Sequence, residues 1–105
     1  MPLPSTPADI MRENAGKAEA MLKLLANRHR LMILCSLVDG SKNVSELIEK
    51  TDLSQSAISQ HLARLRQDNM VLTTRKGQNI YYSLSDPKIT ALLSTLYLIY
   101  CHPDK

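Results

Sequence analysis

A mainly α-helical fold carrying one small β-hairpin is predicted by three features of this 105-residue chain. Apolar residues recur every three or four positions over most of its length. Two short helical segments are separated by a tight turn, and the period drops to two after Met70. Together these describe a single domain over residues 1–105: five helices plus a two-stranded wing, a winged helix-turn-helix, expected as a homodimer. The length permits one modest core.

The elements follow in order. Three prolines among residues 1–7 remove backbone donors, so a flexible arm is expected until Ala8. Ile10, Met11, Ala15, Ala18, Met21, Leu22 and Leu25 then fit a helix over 8–26, with Gly16 its weak point. Asn27 can cap a second helix in which Leu31, Leu34, Cys35 and Val38 form one apolar stripe, stopped by Asp39-Gly40. Asn43 with Glu46 makes a capping box for a helix over 44–50, Thr51-Asp52-Leu53 is the turn, and Ser54 caps a helix over 55–69. The helix-turn-helix thus spans 44–69. In its second helix Ile58, Leu62, Leu65 and Asn69 share the side that docks on the body. The wing covers 70–85: Leu72, Thr74, Ile80, Tyr82 and Leu84 alternate with polar residues around the turn Lys76-Gly77-Gln78-Asn79. Asp86 and Pro87 open a last helix over 86–101.

Charge points to a partner. The net +3 lies entirely in residues 54–85, where Arg64, Arg66, Arg75 and Lys76 face the single acid Asp68, while both flanks sum to zero. A local positive field suits a polyanion. The free side of the 55–69 helix carries Ser56, Ser59, Gln60, Ala63 and Gln67, with Gln55 and Arg64 at its edges. These side chains donate to and accept from base edges without a carboxylate to repel phosphate. Gln55, Ser56, Ser59 and Gln60 are therefore the expected base readers. Arg64, Arg75, Lys76 and Gln78 are the expected contacts to phosphate or minor groove, with His61 at the side of the helix as a further contact. The expected partner is double-stranded operator DNA.

The last helix is too apolar for a monomer. Ile89, Leu92, Leu93, Leu96, Tyr97, Leu98, Ile99 and Tyr100 cover more than one stripe, so the helices over 8–26 and 86–101 are expected to dimerise. A two-fold dimer would set its recognition helices about 34–36 Å apart, one turn of DNA. No run reaches the roughly 20 apolar residues of a membrane span, and the opening lacks a signal-peptide pattern, so a cytoplasmic protein off the membrane is expected. Cys35 and Cys101 have no Cys-x-x-Cys spacing, which disfavours a zinc finger or a disulfide scaffold and leaves reactive thiols. No base or oxyanion donor is placed to activate either thiol, so an enzyme is not expected.

Three stretches carry a family resemblance: Leu24 to Leu34 (LLANRHRLMIL), Leu53 to Leu62 (LSQSAISQHL), and Arg75-Lys76-Gly77-Gln78 before Tyr81-Tyr82. They resemble the ArsR/SmtB family of bacterial repressors over nearly everything from Met21 to Cys101. The resemblance implies an elongated dimer with a wing and repression relieved by an inducer. The Cys-Val-Cys of the arsenic and lead branch is replaced by Asn43-Val44-Ser45. The zinc-branch positions are Asp86, Lys88, Ile99 and His102, two ligands short, so no metal or cofactor is expected. One cysteine in the second helix and one ending the last resembles the persulfide-responsive branch. That resemblance makes Cys35 and Cys101 the sensing pair, joined by a polysulfide bridge that loosens operator binding, with persulfides or other reactive sulfur species as inducer. A metal-responsive or general thiol-oxidation repressor, and a winged-helix module binding another protein, remain the alternatives.

Overall fold

The computed structural model describes residues 6–101. In chain order the elements are α1 (Pro7–Leu25), α2 (Arg28–Ser36), α3 (Val44–Thr51), α4 (Gln55–Gln67), β1 (Val71–Lys76), β2 (Asn79–Leu84) and α5 (Pro87–Tyr100). Five helices and a two-stranded antiparallel hairpin are the expected architecture. The predicted arm over 1–7 lies outside the described residues as far as residue 5.

Local chemistry fixes most boundaries. Thr6 and Asp9 form a capping box ahead of α1, so the helix starts one residue earlier than expected, with Pro7 at the position where a missing N–H costs nothing. The Asn27 side chain accepts from the N–H groups of His29 and Arg30. Asn43 and Glu46 cap α3 reciprocally, Ser54 accepts from the Ala57 N–H, and Asp86 accepts from the Lys88 N–H. The α3–α4 turn passes through Asp52 in the left-handed region, φ 64°.

The core is Leu25, Ile33, Leu34, Leu37, Leu47, Ile58, Leu62, Leu65, Met70, Val71, Ile89 and Leu93. Three expectations about it need correction. In α2 the buried face is Ile33, Leu34 and Leu37, while Cys35 and Val38 are exposed, because the helix docks rotated by one residue, about 100°, from the stripe read in sequence. Helix α4 ends at Gln67; Asn69 turns the chain at φ 60° and is exposed, so the docking side stops at Leu65 and passes to Met70. In β1 the inward residues are Val71 and Thr73, opposite Leu84 and Tyr82, whereas Leu72 points outward at 55% exposure. Gly77, at φ 63°, begins the two-residue loop, the positive angle a tight hairpin needs there.

Two connections were not foreseen. Lys42, between α2 and α3, exchanges backbone hydrogen bonds with Tyr82 at 3.0 and 2.8 Å and so ties the helical body to the wing. The Arg30 guanidinium donates to the carbonyls of Leu24 at 3.0 Å and Lys23 at 3.5 Å, satisfying the end of α1 and locking it to α2.

Candidate functional site

Helix α4 presents two opposite surfaces. Ile58, Leu62 and Leu65 are buried, and the other side, with Gln55, Ser56, Ser59, Gln60 and Arg64, is exposed. No acidic residue occurs between Gln55 and Gln67; the acid that follows, Asp68, takes the Arg64 guanidinium at 2.8 Å. Arg64 therefore stands braced along the last turn, with its remaining donors outward. The exposed side is a continuous polar surface of amides and hydroxyls edged by fixed positive charge.

At the wing tip Arg75, Lys76 and Gln78 are all exposed. The Arg75 Nε donates to the Gly77 carbonyl at 3.3 Å, and the Lys76 ammonium sits 5.5 Å from the centre of the Tyr81 ring. Both long side chains are held near the loop instead of ranging freely. Gln78 lies beside Asn43 and Ser45 at the start of α3, which brings the wing loop next to the helix-turn-helix.

His61 sits elsewhere. It is half-buried and meets His29 edge to face, with ring centres 5.8 Å apart, at the junction of α4 with the start of α2. Burial, then the nearby His29 and Arg30, hold its pKa below the usual histidine value. Arg30 thus serves two neighbours, the end of α1 and the flank of α4. No sequence signal marks that role, since a single arginine after a cap looks like any solvated charge.

The two cysteines are both free and exposed. Cys35 lies on the α2 flank facing α5, across a cavity from Leu93, Tyr97 and Leu98. Burial raises its pKa above the ordinary thiol value, and a second, smaller contribution comes from the negative charge Cys101 would carry. Cys101 caps the end of α5 through its N–H on the Tyr97 carbonyl at 2.7 Å. His102, its neighbour and a zinc-branch position, lies outside the described residues.

The family described as bacterial regulatory protein, arsR family, matches residues 21–73, from the last turns of α1 to the start of the wing. The transcriptional activator HlyU of Vibrio cholerae is 43% identical over 95 residues, covering 90% of this chain and 88% of its own. The biofilm growth-associated repressor of Agrobacterium fabrum is 37% identical over 99 residues, covering 94% and 85%. Among solved structures, the transcriptional repressor BigR of Xylella fastidiosa superposes with a TM-score of 0.87 at 34% identity, covering 93% of this chain and 100% of that one.

Proposed function

The chain belongs to the arsR family of bacterial transcriptional regulators, and from that premise we propose that it is a repressor that senses persulfides through Cys35 and Cys101 and leaves its operator when the two are bridged. Regulators of this family bind operator DNA and act as dimers, and no helix among the described residues is long and apolar enough to cross a membrane. The relatives are transcriptional regulators, not enzymes. HlyU is described as an activator and the Agrobacterium protein as a repressor.

For DNA, Gln55, Ser56, Ser59 and Gln60 read base edges from the exposed side of α4, and Arg64, Arg75, Lys76 and Gln78 hold the backbone or minor groove. His61, half-buried against His29 at the junction of α4 with α2, is set apart from that surface and is not assigned a DNA contact. The operator is straddled by two copies, with α1 and α5 as the dimer helices and the cytoplasm as the compartment.

The observation that carries the sensing step is the placement of Cys35 on the α2 flank that faces α5 across a cavity, with Cys101 exposed at the C-terminal end of that same α5. A persulfide RSSH passes its outer sulfur to one thiol and leaves as RSH. A second RSSH takes up the two electrons released when the other thiol joins, leaving as RSH and hydrogen sulfide. The smallest sulfur-enriched product is a three-sulfur bridge, and it would tether the end of α5 to α2. Since the Cys35 pKa is raised, the fraction of attacking thiolate grows with pH, and the reaction accelerates from pH 7 to pH 8.5.

The test is a DNA titration of reduced and persulfide-treated protein, with mass spectrometry of the treated sample. Expected are a Cys35–Cys101 link heavier than a disulfide, a loss of affinity of about a hundredfold, corresponding to roughly 3 kcal/mol of coupling, and continued binding by Cys35→Ser and Cys101→Ser after treatment. Release of both variants like the wild type makes the thiols bystanders.

A further inference from the structure

A cavity of about 600 Å³ opens between α2 and α5, within the range of small-molecule sites and far larger than two thiols need. Its walls are apolar: Val38 just after α2, and Leu93, Tyr97 and Leu98 from α5, with Cys35 of α2 among them. Its polar edge is formed by Lys50, at the end of α3, and by Asp39. Asp39 is already taken by the Lys42 ammonium at 2.9 Å, whereas Lys50 makes no ion pair among the described residues. Lys42, Lys50 and Asp39 together leave the edge with one net positive charge.

The cavity is distinct from the groove between α1 and α5. The groove between α1 and α5 is lined from α5 by Lys88, Ala91, Leu92 and Thr95; the cavity uses Leu93, Ser94, Tyr97 and Leu98 on another side of the same helix.

We propose that this cavity binds, non-covalently, a small organic anion with an apolar ring body and one acidic group, the body against Leu93, Tyr97 and Leu98 and the acid on Lys50. Such a ligand joins α2, α3 and α5 in one contact and covers the Cys35 thiol. If the sensing reading above holds, it also competes with persulfide for that thiol; the binding itself does not rest on that reading.

Anilinonaphthalene sulfonate, an apolar ring pair with one sulfonate, is the probe. Titrated into the full-length protein, it is expected to give a saturable fluorescence rise at one site per protomer. Lys50→Ala weakens this site about threefold to fivefold, the size of one exposed ion pair. Ser94→Phe fills the cavity and removes the site, and Lys88→Ala, on the other side of α5, leaves it unchanged. Bound dye also slows iodoacetamide alkylation of Cys35, followed by mass spectrometry. Wild-type affinity in either Lys50→Ala or Ser94→Phe, or alkylation of Cys35 at an unchanged rate under saturating dye, overturns the proposal. Neither readout involves DNA or persulfide, so failure here is separable from failure of the sensing mechanism.

Discussion

Gln60 and Arg75 lie on different parts of the polar surface, and on the proposed reading their truncations have different signatures. Gln60, exposed on α4 among short polar side chains, can offer donor and acceptor together to one base, so Gln60→Ala is expected to narrow the gap between operator and random duplex. Arg75, at the wing tip, meets a charge common to every sequence. Arg75→Ala is expected to weaken all duplexes alike and to flatten the dependence of log affinity on log salt by about one unit. Salt titrations on operator and random DNA check both, and equal losses on the two DNAs in both variants would refute the assignment. These residue types were legible because amides and arginines on a face without carboxylates are a chemical pattern. The seat of His61 was not: its contact with His29 depends on how α2 crosses α4, which residue spacing along one helix does not encode.

Helix α4 is held by Ile58, Leu62 and Leu65, all essentially inaccessible to solvent. Ile58→Ala removes packing that its neighbours cannot refill and is expected to cost about 3 kcal/mol, whereas Ser59→Ala, one position on and exposed, stays within about 0.5 kcal/mol. Urea unfolding of the two variants measures this, and similar midpoints would mean that α4 is not anchored by that face. The caps of α2, α3, α4 and α5 were all readable, since a cap is a contact between residues two or three apart. The docking side of α2 was not. Its two candidate stripes, one through Leu31, Leu34 and Cys35 and one through Ile33, Leu34 and Leu37, share Leu34 and differ by one residue of rotation; packing against α3 and α4 chose the second. The face of β1 was decided the same way, by its pairing with β2 and the anchoring of β2 to Lys42.

The described protomer extends 61 × 39 × 22 Å with a radius of gyration of 16.4 Å, against about 13 Å for a compact chain of this length. Seven of its eleven exposed large apolar residues lie on two helices: Ile10, Met11 and Leu22 on α1, and Tyr97, Leu98, Ile99 and Tyr100 on α5, the last 80% exposed. Each such side chain gains roughly 1.5–3 kcal/mol on full burial, which favours association of two copies. Leu22→Asp, at an exposed position, is expected to leave the helical content intact while yielding a monomer in sedimentation and a large loss of DNA affinity. A dimer that survives this change would place the interface elsewhere. Legible from residue order alone were features settled by neighbours along the chain or by bulk chemistry: the helix starts, the hairpin, the position of the net charge and the excess of apolar surface on the last helix. Packing in three dimensions set which side of each element turns inward: the exposure of Cys35, its position across a cavity from α5, the Arg30 link between α1 and α2, and the cavity edged by Lys50. The physical reason is that periodicity states how wide an apolar face is, while the angle at which it docks is set by packing against segments distant in sequence.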